Sequence, residues 1–458
     1  MSSTPGPPPS AREGSLEAPT RHPLEWRDPK FYDHAALEQE LARVFDICHG
    51  CRRCFSLCNA FPTLFDAVDE APGGEVAGVD KKAYWEVVDH CYLCDMCFMT
   101  KCPYVPPHPW NVDFPHLMLR AKAVRARDGA LKVSERVLAA TDAVGRLAGI
   151  PVVVELVNAV NASAAGRALL EKTLGVDRTA PLPKYYARSA RSRLATLGTT
   201  RPGTPAEAPQ ARPTPDTTGR VALFTTCYGN RNAPALDEDL VAVFHHNGIE
   251  VRLLPSERCC GMPRLELGDL EGVARLKDHN IPLLAQAVAG GFDLVAPIPS
   301  CVLMFKQELP LMYPDDAAVR AVAAHMFDPF EYLMLRHRAG LLRTDFSRPL
   351  GKVSYHVPCH LRVQNLGLKT REALELVPGT TVDTIERCSG HNGTYGVKKR
   401  FRAASVKIGR PVMQRVESAR ADHYSSDCPM AGHQIESGLE EPRAPEHPLT
   451  LLRMAYGL

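Results

Sequence analysis

Apolar residues recur at helical spacing over residues 35–48 (AALEQELARVFDIC), 81–91 (KKAYWEVVDHC) and 113–127 (DFPHLMLRAKAVRAR), with no strand-like alternation between them. The pattern predicts a helical region over 35–130, and further helical segments to about Gly175 make 131–195 a set of connecting helices. Residues 196–219 lose the apolar pattern and are rich in Pro, Thr and Ala, which predicts an interdomain linker. The Pro- and Ser-rich start predicts a disordered tail over 1–34.

Beyond the linker the texture changes to short β-branched or apolar runs alternating with helices. RVALFTT, a helix near 234–247, IEVRLL, a long helix near 268–290, FDLVAP and a helix from Cys301 form one round. KVSYHV, a helix near 370–376, TTVDTIE, a long helix near 396–419, DHYSS and a helix after Cys428 form a second. The alternation predicts parallel sheets and an internal duplication, with one α/β half over 220–345 and another over 346–458 that ends in a C-terminal tail.

Composition narrows the function classes. The chain has 458 residues, 45% of them apolar, enough for several domains with their own cores. Its formal net charge of +2 gives no bulk attraction to nucleic acid, and no nucleic-acid-binding module is present. The start lacks the basic and apolar parts of a secretory signal. LAGIPVVVELVNAV (147–160) is shorter than a membrane-spanning helix and is interrupted by Glu155 and Asn158. The expectation is a cytoplasmic protein that reaches the inner face of the membrane, if at all, through a partner.

The chemistry lies in 15 cysteines, an odd count without an export signal, which favours metal ligation over disulfides. CHGCRRCFSLC (48–58) and CYLCDMCFMTKCP (91–103) each hold four. Two-residue gaps let three thiolates turn toward one cluster, and in two-cluster ferredoxins the fourth crosses to the other cluster. Applied here, Cys48, Cys51, Cys54 and Cys102 hold one [4Fe-4S] cluster, and Cys91, Cys94, Cys97 and Cys58 the other. The runs depart from that pattern in two respects: four residues rather than three precede Cys102, and no proline follows Cys58. Structural zinc and inert buried cysteines are the alternatives, though a closed zinc site leaves no use for the third cysteine of each run.

The other seven cysteines fall where predicted strands end: Cys227, Cys259, Cys260 and Cys301 in the first half, Cys359, Cys388 and Cys428 in the second. Ligands bind at that edge of a doubly wound sheet, so two facing halves could gather all seven around one cleft. Cofactor ligation and plain burial are both open for them.

Other features carry paired readings. His356, His360 and His391 stand near the second-half cysteines, as proton donors or ligands, or as buried structural histidines. Gly390, Gly393 and Gly261 match neither dinucleotide nor Walker spacing, and support the metal site or simply form turns. Lys398, Lys399, Arg400 and Arg402, with Arg120, Lys122, Arg125 and Arg127, form solvated helix faces or dock an acidic redox partner. Tyr104–Trp110 (YVPPHPW) directly follows the last ligand of the first cluster, and shields that cluster or binds a partner.

Across residues 40–440 the chain resembles a known group, a helical double-cluster ferredoxin domain followed by two cysteine-rich, or CCG, domains. The group includes iron-sulfur subunits of glycolate oxidase and anaerobic glycerol-3-phosphate dehydrogenase, the lactate-utilisation iron-sulfur protein and heterodisulfide reductase subunits. Besides the cysteine runs, the likeness rests on NAVNASAAGRALLEKTLGVDRTAPLP (158–183), RCCGMP, YHVPCH, RCSGHNGTYGVKK and SDCP. It implies electron relay between a flavin-containing dehydrogenase and the cysteine-rich region, which then passes electrons to a quinone, disulfide or other acceptor. The group's pattern has a cysteine pair in each half and a terminal CxxC, whereas this chain has Ser389, Met304 and Ala431 at those positions. Four first-half thiols remain, enough for a third cluster. Three remain in the second half, which needs His360, Ser389 or an exogenous ligand as a fourth. The rival readings are that the α/β region is itself a reductase of a disulfide or peroxide-type acceptor, or is a redox-inactive docking module.

Overall fold

Residues 19–196 and 212–458 are described by a computed structural model. The tail over 1–18 and the linker over 197–211 lie outside the described residues.

The N-terminal region is helical, and capping residues set its helix starts. The Asp33 carboxylate accepts the Ala36 N–H and opens His34–Cys51, which buries Leu37, Leu41, Val44 and Phe45 on one face and stops at left-handed Arg52. Asp113 caps Phe114–Arg127 in the same way, and this helix is buried on almost every side. Phe114 packs against Phe61 with ring centroids 4.7 Å apart, so the core lies directly beneath the cysteine loops.

Residues 19–34 are not a free tail. Leu24 and Trp26 are buried, the Leu24 N–H donates to the Leu311 carbonyl at 2.8 Å, and the Trp26 indole donates to the Met312 carbonyl at 3.1 Å. Arg21 is mostly covered, and donates to Asp95 at 2.6 Å and to Asp113 at 2.8 Å. A charged residue in a Pro-rich stretch reads as solvated, and only its distant carboxylates make it a core group.

Each α/β half is a parallel sheet. Strands β1 (Arg220–Leu223), β2 (Glu250–Leu253), β3 (Asp293–Val295) and β4 (Met326–Phe327) take the order β2-β1-β3-β4. Strands β5 (Lys352–His356), β6 (Thr381–Ile385) and β7 (His423–Ser426) take the order β6-β5-β7. The arrangement β2-β1-β3 therefore repeats as β6-β5-β7, which bears out the duplication. Strand β4, two residues long, has no counterpart in the second half and no period for a sequence to reveal.

Three boundaries differ from expectation. Residues 212–219 pack rather than link: Thr217 is buried, and the Gly219 N–H donates to the Tyr332 hydroxyl at 3.0 Å. The helix expected from 396 begins at Arg402, because Lys399 and Val397 instead make backbone hydrogen bonds to Gly175 and Asp177. The expected C-terminal tail is the helix Pro448–Tyr456, which returns to the first half, where the Tyr456 hydroxyl donates to the Arg343 carbonyl at 2.7 Å.

The basic runs are engaged internally. Lys398 pairs with Glu135 at 3.3 Å, Lys399 with Glu171 at 3.0 Å and Arg400 with Asp89 at 2.6 Å, while Arg402 donates to Gln434 at 2.7 Å. Arg125 also reaches Asp89, Arg120 donates to the Phe31 carbonyl, Lys122 to the Cys91 carbonyl, and Arg127 lies over the Tyr32 ring. Lys398, Lys399 and Arg400 thus join the second half to the connecting helices and the helical region, whereas Arg120, Lys122, Arg125 and Arg127 are engaged within the helical region itself.

Among the described residues no single helix is long and apolar enough to cross a membrane. Thr141–Ala148 and Val153–Ala162 suffice together, but they are bent by 109°. The connecting helices expose Val133, Leu147, Val152, Leu156 and Leu169.

Candidate functional site

In both N-terminal runs, left-handed residues sit between the cysteines: Arg52 between Cys51 and Cys54, Leu93 between Cys91 and Cys94, and Asp95 between Cys94 and Cys97. Each reverses the chain and turns successive thiols inward, at the local cost that left-handed non-glycine residues carry. Cys48 has Cys51, Cys54 and Cys102 as its neighbouring thiols. Cys94 neighbours Cys58 and Cys97, and Cys58 neighbours Cys91. The two runs therefore lie against each other, and Cys97 meets Cys54 of the first run as well as Cys91 and Cys58.

None of the 15 cysteines is in a disulfide. Burial pushes the Cys48 and Cys97 thiols well up, Cys54 to about 12 and Cys102 to about 11. As bare thiols these groups are inert, whereas bound metal cations replace their protons and reverse that preference. Groups of thiols that are partly or fully buried fit iron-sulfur ligation. No three Cys, His, Asp or Glu side chains among the described residues converge closely enough to hold a single metal ion. Tyr104 lies against Cys51 and packs at a tilt on Trp110, ring centroids 4.6 Å apart, which sets YVPPHPW beside the first run.

Between the α/β halves and the connecting helices lies a cavity of about 890 Å³. Cys227, Cys259, Cys260, Cys301, Cys359 and Cys428 line it, together with Cys94 of the N-terminal region. Cys227 and Cys259 have their sulfurs 4.0 Å apart. Hydrogen bonds from Cys227 and Cys260, reinforced by the Gly261 N–H, hold Cys259 well below the ordinary thiol range. Strained backbone frames the group, with Thr226 at φ 58° before Cys227 and Gly261 at φ 107° after Cys260.

The second-half thiols do not converge on one point. Cys428 has Cys301 of the first half as its thiol neighbour. Cys359 hydrogen-bonds with Cys388 and Cys94. Cys388 does not line the cavity; it lies 3.6 Å from the Tyr92 hydroxyl, among Tyr92, Tyr395 and Phe401. Six of the seven later thiols therefore share the cleft, and Cys388 turns toward the N-terminal set. A Cys359–Cys388 pair against Cys94 stands where a separate second-half site was expected.

The histidines divide in the same way. His356 is engaged through both ring nitrogens, with Ser426 Oγ at 3.0 Å and the Arg387 carbonyl at 2.9 Å. His360 is held by Ser300 Oγ at 2.8 Å and by the Leu93 backbone, which leaves it no free nitrogen for a metal. His391 lines the cavity with both ring nitrogens buried and unpartnered. Gly390 and Gly393 are required by close packing: both have positive φ, and a Cβ would strike the Ser405 carbonyl at one and the Glu266 carboxylate at the other.

Sequence reasoning missed Asp142, whose carboxylate accepts the Cys259 N–H at 2.5 Å, and Glu266, which lines the cavity. Neither belongs to a motif. Both are single acidic residues whose role depends on long-range packing.

A family model described as the cysteine-rich CCG domain matches residues 221–306 and 353–436. The chain is 31% identical over 303 residues to an anaerobic glycerol-3-phosphate dehydrogenase subunit of Escherichia coli, covering 66% of this chain and 72% of that one. It is 25% identical over 246 residues to a fumarate reductase (CoM/CoB) subunit of Methanothermobacter marburgensis, covering 52% of this chain and 46% of that one. Lactate utilization protein A of Bacillus cytotoxicus is 29% identical over 186 residues, covering 39% of this chain and 75% of that one. Two parallel sheets with cysteines at matching strand ends, and a relative followed over most of its length, lead to one assignment: the chain belongs to the family of cysteine-rich (CCG) iron-sulfur subunits that includes the one from anaerobic glycerol-3-phosphate dehydrogenase.

Proposed function

We propose that the chain is the iron-sulfur electron-transfer subunit of an oxidoreductase, carrying electrons from a flavin-containing dehydrogenase to an acceptor such as a quinone or disulfide. The N-terminal region is then a ferredoxin domain. Cys48, Cys51, Cys54 and Cys102 hold one [4Fe-4S] cluster, and Cys91, Cys94, Cys97 and Cys58 the second. Cys227, Cys259, Cys260 and Cys301 are the residues that would hold a third. When bound, such clusters supply one-electron carriers, which the chain's own residues cannot.

One observation carries this reading: Cys94 of the second set meets Cys359 and Cys388 of the α/β region and also lines the cavity. With Cys97 neighbouring Cys54 of the first set, thiols extend from the Tyr104–Trp110 surface to the cavity. The protein's part is to hold each set rigid and keep it dry. The left-handed turns fix the loops, the Phe45, Phe61 and Phe114 core backs them, and the cation clamps hold the two regions in register. His360 and His356 position the strand ends around Cys359 and Cys388 through their hydrogen bonds.

The test is redox cycling of the anaerobically purified chain. Mixing with photoreduced flavin bleaches its visible absorbance, and one equivalent of ferricyanide per electron restores it. A spectrum that flavin leaves unchanged contradicts the proposal.

A further inference from the structure

The cavity is mostly apolar where the connecting helices close it and more polar where the α/β halves do. Val137, Leu138, Val144, Leu170 and Leu174 of the connecting helices form the apolar side. Glu266 lines the cavity from the first half of the α/β region and His391 from the second. The Glu266 carboxylate accepts the Thr394 N–H, and Gly393 leaves space only for that carboxylate. The charged and titratable groups facing it are Lys122 from the helical region, Lys398 from the second half, and Cys259. Lys122 is committed to the Cys91 carbonyl and Lys398 to Glu135, so neither forms a closed pair with Glu266. His391 is the one cavity histidine among the described residues whose two ring nitrogens both lack a partner. Buried polar groups without partners are costly, and a ligand that hydrogen-bonds to them removes that cost.

We propose that Glu266 delivers a proton to a quinone-type carbonyl acceptor reduced in this cavity, and that His391 orients the acceptor by hydrogen bond. The inference rests on the electron-transfer reading above. Reduction of a quinone consumes two electrons, which the flavin dehydrogenase supplies, and two protons. The Glu266 O–H bond breaks as one quinol O–H bond forms, and the carboxylate regains its proton from solvent. The second proton comes from solvent directly. His391, bonded to the other carbonyl, keeps its own proton.

The environment suits these roles. Burial raises Glu266 to about 7, against the pull of Lys122 and Lys398, so it holds a proton near neutral pH. Burial, aided by His433 and Arg402, lowers His391 to about 4, so its neutral ring offers one donor and one acceptor. The apolar side chains of the connecting helices favour an apolar quinone over a charged disulfide.

The experiment uses the full chain, purified anaerobically with its clusters and reduced with dithionite, then mixed with either menadione or ferricyanide. Menadione takes up protons with its electrons, and ferricyanide takes none. Glu266→Gln slows reoxidation by menadione on the order of 100-fold, leaves the ferricyanide rate unchanged, and is partly rescued by Glu266→Asp. His391→Phe raises the menadione concentration needed for half-maximal rate and spares ferricyanide. Equal rates for Glu266→Gln and the unmodified chain with menadione, or equal losses with both oxidants, overturn the proposal. If Glu266→Gln does not fold, Glu266→Asp and His391→Phe decide, and menadione rates equal to those of the unmodified chain in both overturn it. Failure of the unmodified chain to react with ferricyanide is a separate result, because it removes the electron-transfer reading itself.

Discussion

A Cys94→Ser variant is expected to lose about four of the roughly eight iron atoms bound by the N-terminal region, and with them all passage of electrons into the α/β half. Cys94 is singled out because it alone among the eight N-terminal thiols lines the cavity and also hydrogen-bonds to Cys359. Serine keeps the size but is a poor ligand for iron. The remaining set around Cys48, Cys51, Cys54 and Cys102 stays reducible, since its thiols neighbour one another. Iron analysis with EPR therefore shows one signal retained, while reoxidation by menadione falls to background. Cys51→Ser gives the complementary pattern: it loses the outer set and keeps the one that meets the cavity. Full iron content in Cys94→Ser contradicts the assignment of that set.

The second large effect is on stability. Arg21→Ala is expected to cost about 3–5 kcal/mol, because it strips the partner from buried carboxylates. The guanidinium donates to both oxygens of Asp95 at 2.6 and 2.9 Å and to both of Asp113 at 2.8 and 3.1 Å, with Glu308 at 3.7 Å. Burial alone would raise Asp113, but His116 and Arg21 more than offset it and hold it at about 2. A carboxyl held below its unfolded value near 4 stabilises the fold above that value and loses the contribution as pH falls toward 2. Without Arg21 the Asp113 carboxyl loses that pull and is lifted, so acid unfolding of the variant begins at higher pH. Urea unfolding at pH 7 and an acid titration followed by circular dichroism check both statements. A variant as stable as the unmodified chain contradicts the role of Arg21.

The sequence carried much of the architecture because the informative signals were local. Helical spacing in 35–127 and the strand-end positions of Cys227, Cys301, Cys359 and Cys428 need only neighbouring residues to be read. What it hid depends on pairs far apart in the chain. Arg21 looked like part of a tail because Asp95 and Asp113 lie 74 and 92 residues away. Arg400 looked like a free cation because its partner Asp89 is 311 residues distant. Cys388 turns toward Tyr92 rather than into the cleft for a similar reason: the clamps that seat the second half bring it against the N-terminal thiols. Glu266 carried no signal at all, since one acidic residue in PRLELGD resembles any solvated turn until the cavity is seen.

The central claim is that eight N-terminal thiols hold two [4Fe-4S] clusters close enough to exchange electrons. Iron and acid-labile sulfide analysis of the anaerobically purified full chain, with EPR of the dithionite-reduced form, tests it most directly. The account predicts about eight or more iron atoms with matching sulfide, and reduced-cluster signals broadened by magnetic interaction between two neighbouring centres. Colourless protein that contains zinc or no metal, and is unchanged when the eight cysteines become serine, would contradict it.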